Sequence, residues 1–185
     1  MWTWRPGSRQ LRLIRAVVGT MVILRLAKIA TVAALAAYAF IVAYDNIVDY
    51  GSNYEFVRHV LSMDTTFPGN ALMHRAITDE GVWRLAYAVI IATEGLTALL
   101  LGLGASVMMT RLRAPADIFD RAKVWAVAGL TVGFGLWFVG FMVIAGEYFA
   151  MWQSKVWNGQ ETAFRIATEM LGVLIFVSLP DGELA

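Results

Sequence analysis

The sequence predicts an all-α polytopic membrane protein: four transmembrane helices arranged as two helical hairpins, with a short amphipathic helix in the first external loop. Three observations predict it. Apolar residues gather in four long blocks, Lys and Arg collect at alternate connections, and one connection carries apolar residues at helical spacing.

The chain has 185 residues, 59% of them hydrophobic and 16% charged, with a mean hydropathy of +0.63. Soluble domains run closer to half apolar and a quarter charged. Ile29 to Tyr44 is uncharged, Leu85 to Thr110 holds only Glu94, Val124 to Gly146 is uncharged, and Ile166 to Pro180 holds only Glu169. A helix needs roughly 20 mostly apolar residues to cross about 30 Å of hydrocarbon. The second and third blocks meet this. The first meets it by running back through Lys28, whose stem can reach the interface, and the fourth by starting near Ala163. Spans are therefore expected at about 25–44, 85–109, 124–146 and 163–180, forming one transmembrane domain over 25–180. External loops are expected at 45–84 and 147–162, a basic N-terminal extension at 1–24 and a short cytoplasmic tail at 181–185.

Charge sets the orientation. Arg5, Arg9, Arg12, Arg15, Arg25 and Lys28 precede the first apolar block with no acidic residue among them. The 111–123 connection carries Arg111, Arg113, Arg121 and Lys123, whereas acids outnumber bases between the first two blocks. Lys and Arg stay on the cytoplasmic side, so both termini are expected inside, in a plasma or inner membrane. Arg25 and Lys28 interrupt what would otherwise resemble a secretory leader, and Met21 offers an alternative start.

In the first loop, Phe56, Val57, Val60, Leu61 and Phe67 recur at near-helical spacing while Arg58, His59 and Ser62 take another face. This predicts an amphipathic helix on the outer leaflet, ended near Pro68 and Gly69. In the second loop, Tyr148, Trp152 and Trp157 read as an aromatic belt. Gly129-x-x-x-Gly133, with Gly135 and Gly140, allows close helix approach, within the bundle or at a homodimer seam.

Three separated strings, "DNIVDYGSNYEFVRHVLSMDTTFPGN", "YAVIIATEGLTALLLGLGA" and "GEYFAMWQSKVWNGQETAFR", resemble the bacterial family of predicted small integral membrane proteins, domain of unknown function 2165. The resemblance spans about Arg25 to Pro180. It implies a four-span protein and carries no chemistry with it.

Chemistry must come from the polar residues. The string Ile-Ala-Thr-Glu occurs twice, ending at Glu94 and at Glu169. An acid at the centre of a span costs roughly 2.5–3.5 kcal/mol on insertion scales, so it usually faces the bundle interior with a partner. Each glutamate is either structural, bonded to a neighbouring helix, or proton-exchanging. Glu169 lies one turn from Arg165 and is positioned to pair with it. An external polar cluster of Asp45, Asp49, His59, Asp64, His74, Arg75 and Glu147 is a candidate contact for a partner or ligand, and its spacing matches no metal-ligand signature.

Several classes fail on inventory. Without cysteine there is no thiolate catalysis, disulfide exchange or Cys-ligated metal. Neither His lies in an apolar block, against a haem-binding bundle, and no phosphate loop, G-x-S-x-G or H-E-x-x-H occurs. No cofactor, metal or nucleic acid is expected, and no catalytic residue. The lead reading is a non-enzymatic structural or accessory subunit that docks a membrane-complex partner through its external loops. The alternative is a small proton-coupled transporter built as a dimer around Glu94, and a distant third is an outer-leaflet lipid or quinone enzyme.

Overall fold

The computed structural model of the chain describes residues 8–183, with side chains from Gly19 onward. Arg5 and the last two residues of the expected tail lie outside these, as do the side chains of Arg9, Arg12 and Arg15, which enter the orientation argument. The described residues are helical, with no strand. They form α1 (Ser8–Val48), α2 (Tyr50–Ser62), a 3₁₀ turn (Ala71–Arg75), α3 (Glu80–Thr110), α4 (Ala116–Ala122), α5 (Val124–Phe134), a π-helix (Gly135–Tyr148), a second 3₁₀ turn (Met151–Gln153) and α6 (Gln160–Ser178). Three helical stretches are long and apolar enough to cross a membrane: Gly19–Val48, Glu80–Thr110 and Ala116–Tyr148. The 19-residue α6 carries Glu161, Arg165 and Glu169 and falls short of that standard.

α1 presents Ile29, Val32, Leu35, Ala39 and Ala43 to the core, a stripe recurring every three or four residues, as one face of a helix requires. That face packs on α3, α3 packs on α5, and α5 with its π continuation packs on α6. α3 starts on a side-chain cap: Asp79 accepts from Val82 N–H at 3.0 Å, satisfying one of the four free donors of the first turn. α2 is the amphipathic helix expected in the first loop, but it starts at Tyr50 and stops at Ser62, so Phe67 is not part of it. Its apolar side, with Val57 and Val60 buried, turns onto the protein.

α3 and α5 are pressed together at one end and parted at the other. A Cβ on Gly104 would meet the backbone N of Ala126 at 2.5 Å, and one on Gly129 would meet Leu101 at 2.9 Å. Only hydrogen fits there, the close approach that small residues allow between spanning helices. A Cβ on Gly133 would meet Thr97 and Met170 at 3.0 and 3.1 Å. The glycine motif therefore serves packing within the chain at Gly129 and Gly133, whereas Gly135 has open space and Gly140 only ordinary contact. Beyond Gly133, where the chain winds as a π-helix, two cavities separate it from α3 and its neighbours.

The opposite ends of the rods meet in a knot of buried charge. Arg25, fully buried, donates from one guanidinium nitrogen to Leu112 and Ala114 carbonyls at 3.0 and 2.7 Å, and from the other to Gly182 O at 3.1 Å. Lys28 and Lys123 reach Asp181 at 2.8 and 2.5 Å, and both donate to the Leu179 carbonyl. Lys123 also reaches Asp120 at 2.6 Å. Lys28 ends buried on Asp181 and Leu179, and residues 181–183 are no free tail: Asp181, its side chain 5% exposed, is built into the bundle's end. Three cations there need an acid and carbonyls, and the segment after α6 supplies them.

Candidate functional site

At the Asn46 end the two loops fold onto each other. Thr65 donates to Ser154 at 2.9 Å, Phe67 N–H and Asn70 donate to Gln153, and Ile77 N–H donates to Leu61 O at 2.8 Å. Met63 and Ala150, one from each loop, hold left-handed backbone, φ 54° and 52°. Such residues persist where the surroundings fix them, and both lie in one small core with Val60, Phe149 and Met151.

The external cluster predicted from sequence is partly assembled here. His59 Nε2 accepts from Arg58 at 2.7 Å, its Nδ1 donates to Asp64 at 2.8 Å, and its ring stacks on Trp157 with centroids 4.7 Å apart. Arg75 donates to Tyr148 O at 3.0 Å and lies over the Tyr148 ring, and Trp152 meets Phe67 edge-on. Tyr148, Trp152 and Trp157 thus make protein contacts in tying the loops down. His74 donates to its own turn at Ala71 O, and Asp49 accepts from Ser52. Asp45 and Glu147 are exposed. Among the described residues, no three His, Asp or Glu side chains converge as a metal site would require.

Glu94 is different. It sits near the middle of α3, 2% exposed, and accepts from Asn46 Nδ2 at 2.7 Å through Oε2. Asn46, 6% exposed, is held in turn: its Oδ1 accepts from Asn53 Nδ2 at 2.6 Å, and its backbone carbonyl accepts from Tyr87 OH at 3.0 Å. Asn53 is exposed. A file of hydrogen-bonded side chains therefore runs from the surface at Asn53 through Asn46 to the buried carboxylate. No described residue donates to Glu94 Oε1, and that atom is not sealed off.

Glu94 also lines a cavity of about 270 Å³. α1 contributes Tyr38, Val42 and Asn46 to it, α2 contributes Asn53 and Phe56, α3 contributes Tyr87 and Ile90, the π-helix contributes Trp137 and Phe141, and α6 contributes Thr162 and Ile166. No Lys, Arg or His is among the lining residues. Three of its lining residues, Tyr38, Asn53 and Thr162, are exposed. Phe56, Val57, Ile90 and Phe141 also wall a second, wholly apolar cavity of about 300 Å³.

The π-helix forms one side of both. Its i→i−5 bonding runs through to Phe149 N–H on Ile144 O at 3.0 Å. π turns are rare, are mostly single turns within α-helices, and are frequent at functional sites; here the stretch covers 14 residues. Glu169, by contrast, is exposed on α6 with Arg165, and no ion pair joins them. The two Ile-Ala-Thr-Glu strings thus end in one buried acid and one outward-facing acid.

The family model for predicted small integral membrane proteins, domain of unknown function 2165, matches residues 24–180. No curated protein and no solved structure matches the chain.

Proposed function

The chain belongs to the family of predicted small integral membrane proteins, and from that premise we propose that it is a four-span protein whose work is binding and exchanging a small cation, the proton first, at Glu94. α6 is the fourth span: it packs along α5 and the π-helix, and 19 helical residues reach about 28 Å. The basic 111–123 connection and the Arg25 end face the cytoplasm, and the Asn46 end faces outward in the bacterial inner membrane. The Glu94 cavity then opens from the outer face.

One observation carries this reading: a buried carboxylate, linked by side-chain hydrogen bonds to an exposed asparagine, lines a cavity that contains no cation to neutralise it. Asn46 engages one of the two carboxylate oxygens, and no described residue donates to the other. Here one oxygen is left for something that enters. The cavity is lined by all four rods of a single chain, so a dimer is not needed to complete it.

The test is a pH-gradient assay in proteoliposomes. Wild type is expected to dissipate the gradient, and Glu94→Gln, which keeps the bond with Asn46, to lose that activity. Equal behaviour of the two proteins refutes the proposal.

A second reading, partner docking, rests on a different surface from the loops, whose distinctive residues are engaged with each other. α6 carries Arg165, Thr168 and Glu169 exposed on one side. Charges on a spanning helix seek a partner, and a neighbouring helix with the opposite sequence of charges would supply one. Cross-linking at Thr168 is expected to trap a dimer or hetero-complex, and failure to trap either in native membranes removes the reading.

A further inference from the structure

The chemistry lining the Glu94 cavity selects more than a proton. Five of its side chains are aromatic: Tyr38, Phe56, Tyr87, Trp137 and Phe141. Tyr38 and Trp137 stand with centroids 6.2 Å apart, and Phe56 and Phe141 6.3 Å apart. The polar side chains are one carboxylate, two carboxamides, the hydroxyls of Tyr38, Tyr87 and Thr162, and the Trp137 indole N–H.

A divalent metal would find one carboxylate and no imidazole here, a poor donor set for such an ion. An anion would meet Glu94. A neutral apolar molecule would leave Asn46 as the one donor to the carboxylate and bring no opposite charge to it. A cation with an apolar coat satisfies both kinds of wall: the charge pairs with the carboxylate, and aromatic rings attract ammonium groups within about 6 Å of their centroids.

We infer that the cavity is a binding site for a small organic ammonium ion, held by Glu94 and enclosed by Trp137, Tyr38 and Phe141. This rests on the reading of Glu94 as an exchange site and names its further substrate class. Size follows from volume. At about 30 Å³ per water-sized unit, 270 Å³ admits an ion of about nine or fewer non-hydrogen atoms.

The experiment compares choline with 3,3-dimethylbutan-1-ol, its uncharged isostere, by calorimetry and tryptophan fluorescence on the full chain purified in detergent. Choline is expected to bind saturably, and the neutral isostere at least about tenfold more weakly, the factor that 1.4 kcal/mol confers. Glu94→Gln is expected to weaken choline about tenfold or more and to abolish the preference for charge. Tyr38→Leu, at an exposed position of the lining where folding is little disturbed, is expected to weaken choline about threefold or more. Equal binding of the two probes, unchanged choline affinity in Glu94→Gln, or no saturable choline binding overturns the inference.

The proton assay separates this failure from that of the parent reading. If wild type dissipates a pH gradient in a Glu94-dependent way while choline does not bind, the organic cation is wrong and the exchange site stands. If the gradient is also unaffected, both fall.

Discussion

At the Asp181 end of the molecule, Arg25, Lys28 and Lys123 crowd around one buried carboxylate; at the Asn46 end, the buried carboxylate of Glu94 has no cation within its cavity. The first arrangement is closed. Both lysine nitrogens and both terminal guanidinium nitrogens find an acid or a carbonyl, and among these three side chains only Arg25 Nε lacks a hydrogen bond, lying 3.8 Å from Asp181. The second is open: Glu94 lines a cavity, and no described residue donates to its second oxygen. Charges matched inside the chain hold the fold. Glu94, with no cation in its cavity, has no such match.

The contrast can be broken most directly at Asp181. Asp181→Ala leaves three buried cations short of their shared acid, and removing one partner from a buried pair costs roughly 3–5 kcal/mol. A large fall in the detergent melting temperature is expected, and a shift of under a degree would dissolve the comparison.

Acid should have the same effect by degrees. Burial alone would raise the Asp181 carboxyl, but hydrogen bonds from Lys123 and Lys28 outweigh it and hold the group below its ordinary value. A group lowered on folding contributes stability above its unfolded value, about 3.9 for Asp, and loses it as pH falls through the folded value. Wild type should therefore lose melting temperature below about pH 4, and Asp181→Asn should flatten that limb. Identical acid limbs would contradict the assignment.

Glu94→Gln sharpens the other side. The amide keeps an acceptor for Asn46, so stability should change by no more than about 1 kcal/mol, the scale of a side-chain bond between spanning helices, while cation exchange is lost. A melting temperature as low as that of Asp181→Ala would make Glu94 a structural acid instead. The smallest effect belongs to the loop cap. His59→Ala removes the stack on Trp157 and the bond to Asp64, about 1 kcal/mol in all, and should leave the proton assay unchanged. Loss of activity there would move the site out of the Glu94 cavity.

The two ends also differ in how plainly the sequence announces them. Glu94 is conspicuous because a lone acid interrupts an apolar block, and α2 because Val57 and Val60 recur at helical spacing. Asn46 was hidden: the first span reads as ending at Tyr44, yet α1 continues through Ile47 and Val48 and carries Asn46 inward with it. The cation knot was hidden for another reason. Arg25 and Lys28 beside an apolar block have a sufficient explanation in orientation, and their partners at Leu179 to Gly182 lie some 150 positions away, beyond the reach of any periodicity. The π winding left no trace because its segment is apolar all round, and such a segment has no phase from which to read its pitch. Gly104 looks like any other glycine in a spanning helix until Ala126 is placed against it.

The meeting of Gly104 and Ala126 has a mechanical side. Helices with backbones in contact at one end and a hollow between them at the other behave as a pair of tongs pivoted at the glycines. Ala86, on the wall of the apolar cavity, lies 18 residues from Gly104, about 27 Å along the α3 axis. Over that arm a tilt of about 3° displaces the tip by about 1.4 Å, close to one bond length. A tilt of that size about the glycines would leave the Gly104–Ala126 joint in place.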